Sequence, residues 1–322
     1  RAVEWFAPQL GSQTIQWVSV GGRLEEFVAA LRSLMLDLIY HWEIGTDGVN
    51  YFLPFFRLAP VQCTSWGIQV TSGIPGVDYY LSSKLVEPDD AQDHYTEKLV
   101  LSDTLLSYQR RAPLALGPAK RESLGIANDT HLYLCAQQLG KFHPDFDPIL
   151  AGILQADARA VIVVTEDRHG GPAKEDLRQR FASRMQGDAS RIKFVPFQPA
   201  DRYLSLTAAA DVVLDPLHFG GVNTTYDAFS LHQPIVTLPS RYQRGRYTLG
   251  CYQKMGIFDC VASDPRQYVE IAVALANDRD FHGRVVDQLR AASPVLFEDQ
   301  AAVSEHERIF GDLIARARAE RI

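Results

Sequence analysis

The chain has 322 residues, 46% of them hydrophobic and 22% charged, which allows one large or two ordinary globular domains and excludes a disordered or fibrous chain. Thirty-two Lys and Arg stand against 39 Asp and Glu, a formal charge of −7, so a uniformly basic surface for sequence-independent nucleic-acid binding is excluded. There is no run of 18 apolar residues, and the Arg-Ala-Val-Glu-Trp start carries early charge unlike a signal peptide; neither nucleic acid nor membrane is expected as a partner.

Residues 1–36 read as mixed, with a helix near Arg23–Leu36, where Leu24, Phe27, Val28, Leu31, Leu34 and Met35 recur at helical spacing. Short apolar or β-branched runs at Leu36–Tyr40, Pro60–Trp66 and Val77–Ser82 read as buried strands. The acidic Glu87-Pro88-Asp89-Asp90 predicts a helix reaching about Tyr95, with Pro88 in its first turn. Residues 103–127 contain Arg110-Arg111-Ala112-Pro113 and Gly117-Pro118 and read as a connection, which places a domain boundary near 110–128.

From about residue 130 the pattern becomes regular. Strands are predicted at His131–Ala136, Ala160–Thr165, Ile192–Val195, Asp211–Leu214 and Pro234–Leu238. Helices are predicted at Asp147–Gln155, Lys174–Met185, Asp201–Ala209 and Thr224–Leu231. Strands apolar on both faces and joined by helices imply an α/β fold with a parallel sheet covered on both sides. Helices at about 247–255, 265–277 and 279–291 follow, and a last one spans Ala301–Ala317. Cys63, Cys135, Cys251 and Cys260 have no C-x-x-C spacing and read as buried reduced thiols, which fits a cytoplasmic protein. Arg241-Tyr242-Gln243-Arg244-Gly245-Arg246 is a candidate local basic patch.

In an open parallel sheet, ligands lie beyond the carboxyl ends of the strands. Three loops there carry chemistry: Gln137-Gln138-Leu139-Gly140-Lys141, Pro196-Phe197-Gln198-Pro199, and the stretch from Asp215 to Asp227. The last contains Gly220-Gly221, which lets the backbone approach a ligand closely, then Asn223 or Thr224 as a candidate helix cap. Amides at a helix start, with the helix dipole, make a site for phosphate oxygens. Thr224 and Thr225 add hydroxyls, Asp227 is placed to accept from ribose hydroxyls, and Lys141 supplies a positive charge for a departing diphosphate without a metal. The same stretch also reads as a plain strand-to-helix turn with a good cap. It is neither G-x-G-x-x-G nor a Walker lysine loop. Asp145-Phe146-Asp147 has the form of a metal motif but sits at a helix start, where acidic residues are favoured anyway, and the histidines form no metal-binding spacing, so no metal is expected.

The chain resembles the catalytic region of the O-linked N-acetylglucosamine transferases, especially bacterial ones, from about Leu36 to Phe310. The resemblance runs through Arg57-Leu58-Ala59-Pro60-Val61-Gln62, Trp66-Gly67, Thr71-Ser72-Gly73, Asp78-Tyr79, Pro88, Tyr95 and Glu97-Lys98-Leu99. It continues through Gln138 with Lys141, Ala210–Asp215, Asn223–Asp227 and Pro234–Pro239. It implies a GT-B-type α/β fold of two Rossmann-like lobes. Residues 1–115 would be the C-terminal part of an incomplete first, acceptor-side lobe; 116–300 the second, UDP-sugar-binding lobe; and 301–322 a C-terminal helix.

The activity implied is inverting, metal-independent transfer of a sugar, GlcNAc first, from a UDP donor to protein Ser or Thr, with no cofactor. A related bacterial branch uses UDP-glucose and Asn, and the Asn223-Thr224-Thr225 form resembles that branch. By position, Lys141 would contact the diphosphate as the catalytic residue, with Gln138 beside it. Gln198 would lie at the uracil, and Tyr203 stands where the family has a histidine near the base. Asn223, Thr224 and Thr225 would meet the phosphates and Asp227 the ribose. Thr71, Ser72 and Gly73 would form an acceptor-side loop. The family's histidine near the acceptor hydroxyl would lie upstream of residue 1, which leaves open a UDP-sugar-binding module without turnover in a larger assembly.

Overall fold

The computed structural model describes residue 16 and residues 18–113, 116–168 and 170–320. The part of the mixed N-terminal reading that falls on residues 1–15 lies outside these. Helix α1 spans Leu24–Ser33, and its Leu24, Phe27, Val28 and Leu31 pack with Leu53 and Leu58. It stops before Leu34 and Met35, which are exposed rather than core-facing; Met35 takes a positive φ of 49° that no helix can continue.

The first sheet comprises β1 (Leu38–His41), β2 (Val61–Ser65), β3 (Tyr79–Ser83) and β4 (Lys98–Ser102), parallel and in that order. The short helix α2 (Gly48–Phe52), whose start is capped by Asp47, lies in the β1-to-β2 crossover. The sequence pattern predicts no strand at β4, an edge strand whose half-exposed residues give a weak apolar signal. The helix predicted over 87–95 is a single 3₁₀ turn, Ala91–His94. Buried Glu87 accepts from Ser82 Oγ at 2.6 Å and from Tyr95 OH at 2.7 Å, which ties both ends of the segment down and leaves length for one turn only.

The second sheet comprises β5 (His131–Cys135), β6 (Ala160–Thr165), β7 (Ile192–Val195), β8 (Val212–Leu214) and β9 (Ile235–Val236). Its order is β7-β6-β5-β8-β9, all parallel. Its connecting helices are α3 (Asp147–Ala156), α4 (Ala173–Met185), α5 (Ala200–Ala208) and α6 (Asn223–Ser230). Successive side chains of a strand point to opposite faces. Leu132, Leu134, Val161 and Val163 therefore enter one core with Leu206, while Tyr133, Cys135, Ile162 and Val164 enter the other with Ile149 and Phe181. The strand order reverses between β5 and β8, which makes their carboxyl ends the crevice where a ligand fits.

Helices α7 (Tyr247–Met255), α8 (Pro265–Asn277), α9 (Arg279–Ala292) and α10 (Gln300–Ala319) follow. Helix α10 returns to the first sheet, where Ile309 and Leu313, one turn apart, pack on Val61, Cys63 and Leu81. Among the described residues no helix is long and apolar enough to cross a membrane. All four cysteines are free and buried, and burial pushes the thiols of Cys63, Cys251 and Cys260 up to about 12.

The stretch 241–246 joins the lobes instead of forming a free basic patch. Buried Gln243 accepts from Tyr80 OH at 2.8 Å and donates to Ser82 Oγ at 2.6 Å, and Arg246 donates to Val86 O at 2.7 Å. Gly250 of α7 faces the same seam. A Cβ there would stand 2.5 Å from Val86 Cγ1 and 3.2 Å from Leu85 O. Gly250→Ala is expected to destabilise by about 1–3 kcal/mol through overpacking, read as a lowered urea midpoint; an unchanged midpoint would mean the seam is looser than described.

Candidate functional site

The loops after β5 and β8 meet at the strand-order reversal. Lys141 closes the 3₁₀ turn Leu139–Lys141, and its Nζ donates to Gln137 Oε1 and to Gly220 O, both at 3.0 Å. The ammonium also lies 4.4 Å from the Phe219 ring centroid, a cation–π contact. Lys141 is thus half-buried rather than fully exposed. Burial lowers its pKa, against the opposing pull of Asp215.

Asp215, at the end of β8, is buried and shapes the glycine loop. It accepts from Gly221 N at 3.1 Å and Thr237 Oγ1 at 2.9 Å, with Thr248 as a further donor. Burial raises its carboxyl pKa against those bonds and the Lys141 charge. The two glycines make room for this wiring. A Cβ on Gly220 would stand 2.6 Å from Asp215 Oδ1, and one on Gly221 2.6 Å from Gln137 Nε2.

Helix α6 starts at Asn223, with Val222 at the cap position and no capping side chain. The expected cap by Asn223 or Thr224 is absent because the Thr224 hydroxyl accepts from Gln137 Nε2 and Asn223 is already helical. The amides of Thr225 and Tyr226 bond Val222 O, whereas those of Asn223 and Thr224 have no partner among the described residues. Two donors thus point out of a helix start beside a lysine, an arrangement that suits phosphate oxygens. Thr225 differs from the reading: it is buried, and its hydroxyl sits 3.1 Å from both Gly221 O and Thr248 Oγ1, so it braces the loop from within.

One turn on, the Asp227 side chain has no bonded partner among the described residues, and burial raises its pKa to about 6. The Tyr203 phenol lies near it, and Tyr203 lines one crevice with Gln137, Thr207 and Thr224. Exposed Asn223 instead faces a second crevice with Trp42, Trp66, Ser107 and Tyr108, between the lobes. Gln138 is exposed beside Lys141. Gln198 follows β7 with its amide turned back on Pro196 O at 2.7 Å, and no bond joins it to the Lys141 cluster among the described residues.

The hydroxyls of Thr71 and Ser72 are committed to buried Glu97, which also accepts from Ser72 N at 2.7 Å; Gly73 takes the turn with a φ of 65°. Burial alone would raise Glu97, but the Ser72 and Thr71 bonds hold it low. This loop lines a groove with Tyr242 and Arg244, and Arg244 donates to His218 O at 3.2 Å. Asp145 and Asp147 do not form a pair: buried Asp147 is bound by Arg180 and Arg184, while exposed Asp145 faces His143 and His218.

Gln137, Asp215, Phe219, Arg244 and Thr248 hold the loops together; the sequence places the first three in the candidate loops and Arg244 in the candidate basic patch, but gives none of the five an individual role. Asp215 immediately follows β8 and Gln137 lies two residues past β5, a positional signal that existed. Arg244 and Thr248 come from 20 or more positions away; Arg244 signals only a basic patch and Thr248 nothing.

The sequence profile of glycosyl transferase family 41 matches residues 108–305. A probable UDP-N-acetylglucosamine–peptide N-acetylglucosaminyltransferase of Arabidopsis thaliana, SPINDLY, is 27% identical over 295 residues, covering 87% of this chain and 31% of that protein. A UDP-glucose:protein N-beta-glucosyltransferase of Actinobacillus pleuropneumoniae is 25% identical over 263 residues, covering 80% of this chain and 41% of that protein. The chain thus spans about a third of the length of the first of these curated relatives. The solved O-GlcNAc transferase of Thermobaculum terrenum superposes with a TM-score of 0.82 at 22% identity, over 94% of this chain and 57% of that one, which shows the shared GT-B fold. With the family profile covering the lysine loop, the glycine loop and the seam helix α7, the chain belongs to glycosyl transferase family 41.

Proposed function

We propose that this chain binds a UDP-sugar in its second lobe and transfers the sugar, GlcNAc first, to a Ser or Thr side chain of a protein, with inversion and with no metal on the diphosphate. The observation that carries the reading is the Lys141 ammonium held on Gly220 O beside the amides of Asn223 and Thr224, which have no partner among the described residues. A fixed cation and a helix start stabilise the charge that grows on a departing diphosphate. Asp227, half-buried and with no bonded partner among the described residues, accepts from the ribose hydroxyls, and Tyr203 stacks near the base. The free buried thiols fit a reducing compartment, and the cytoplasm is part of this proposal.

The Asn-Thr-Thr start of α6 and the likeness to the Actinobacillus enzyme favour UDP-glucose as the second reading. Calorimetry with UDP-GlcNAc, UDP-glucose, UDP and NAD separates them. Tighter binding of UDP-GlcNAc supports the main reading, and tighter UDP-glucose the second. Binding without any release of UDP in the presence of protein acceptors makes the chain a binding module. NAD binding with no response to UDP overturns all three.

Asp227 also predicts a pH dependence. Ribose hydroxyls bond to the ionised carboxylate, so ligand binding opposes the burial that raises its pKa to about 6. UDP-GlcNAc affinity is therefore expected to rise from pH 5 to pH 7, and Asp227→Asn is expected to flatten that profile while weakening binding about ten- to hundredfold. The sugar nucleotide is used because free UDP has its own ionisation near 6. A wild-type profile already flat would remove Asp227 from the ribose.

A further inference from the structure

We propose that His143, Asp145 and His218 form a site for one divalent transition-metal ion of the zinc or cobalt class, stapling the lysine loop to the glycine loop at the flank of the donor site. One donor atom from each of the three side chains lies within 4.8 Å of the others. Asp145 Oδ2 is the hub, 2.9 Å from His218 Nε2 and 3.3 Å from His143 Nδ1. Around a tetrahedral ion with bonds of about 2.0–2.2 Å, ligand atoms stand roughly 3.3 Å apart, so these spacings need little adjustment. The ion takes the His143 Nδ1 lone pair that now accepts the Asp145 amide at 3.2 Å.

Two imidazoles and one carboxylate suit zinc, cobalt or nickel, and not magnesium or calcium, which take oxygen ligands. Three protein ligands leave a position for water, and the exposed His143 and Asp145, with His218 half-exposed, give the ion a way in. The Arg184 guanidinium, on Pro144 O at 3.1 Å, adds nearby positive charge and tempers the affinity.

The two loops are already coupled at this point. His143 N donates to Lys141 O at 2.9 Å, and His218 lies two residues before the Gly220 carbonyl that accepts Lys141 Nζ. His218 holds a φ of 69°, a left-handed conformation uncommon for a non-glycine residue, with its carbonyl tied to Arg244 and its ring to Asp145. An ion on the ring adds a third restraint to the backbone that frames the lysine. This inference stands on the three side chains alone and does not depend on the identity of the donor.

The test titrates Co²⁺, then Zn²⁺, into the chelator-treated full chain. One equivalent of Co²⁺ is expected to produce visible absorption bands that Zn²⁺ abolishes, and Zn²⁺ is expected to raise the unfolding temperature. His143→Ala, His218→Asn and Asp145→Asn should each weaken binding by more than the about tenfold lost when a mere hydrogen-bond partner of a ligand is removed. Asparagine is chosen at 218 because it tolerates the left-handed backbone. His143 and Asp145 are exposed and His218 is half-exposed, and Asp145→Asn keeps the side-chain shape should a histidine variant fold poorly. No saturable binding of either ion, or binding that survives loss of both histidines, overturns the proposal.

Discussion

Lys141→Ala is expected to lower sugar transfer about 10²–10³-fold, the usual cost of removing one donor aimed at a developing anion. The geometry supports an effect of that size: Nζ is held by two acceptors from different loops, Gln137 and Gly220, and needs no reorganisation when negative charge arrives. Burial lowers the lysine pKa, and the Asp215 charge opposes that shift. UDP affinity is expected to fall about ten- to hundredfold through loss of a charge-assisted bond. Folding stability should drop by only about 1 kcal/mol, since the lost bonds are polar and solvent reaches the loop. UDP release from UDP-GlcNAc measures the first effect, calorimetry the second and urea unfolding the third. Turnover and UDP affinity both at the wild-type level would detach Lys141 from the diphosphate.

Asp215→Ala is expected to do more damage to the molecule than any other single change at the site. Asp215 is 5% exposed, and loss of its carboxylate strands a backbone amide, Gly221 N, and the Thr237 hydroxyl, and takes one of two partners from the Thr248 hydroxyl. Removing one member of a buried charged, hydrogen-bonded group costs about 3–5 kcal/mol. The loop that presents the Asn223 and Thr224 amides loses its brace at the same time, so UDP binding should disappear even in molecules that still fold. Asp215→Asn keeps the volume and one acceptor oxygen, and the hydroxyls can rotate, so its cost should be smaller. Urea midpoints and UDP calorimetry on both variants decide the matter. Asn as harmful as Ala would make the charge beside Lys141 the essential feature; an Ala variant as stable as the wild type would deny Asp215 its role.

Much of the second lobe was legible because its signals are local. The apolar runs at 131–136 and 160–165 lie within a residue of β5 and β6, and the amphipathic stretches fall on α3 to α6. Strand and helix periodicity is written along consecutive residues, as is the glycine pair before a helix. The first lobe was read less completely. β4 is a half-exposed edge strand, and the 87–95 segment is shortened by Glu87 bonds that no spacing rule contains.

By itself the sequence determined the alternation of strands and helices, and hence a parallel sheet with Lys141 and Gly220-Gly221 at the carboxyl ends of two strands. Only the tertiary structure decided what those residues touch. It turned the Thr225 hydroxyl inward to Thr248, left Asp227 without a bonded partner among the described residues, and brought Asp145 between histidines 75 positions apart in the chain, His143 and His218. The reason is physical: a strand or helix follows from neighbouring side chains and their period, whereas a hydrogen-bonded cluster forms where packing closes loops that the chain order keeps far apart.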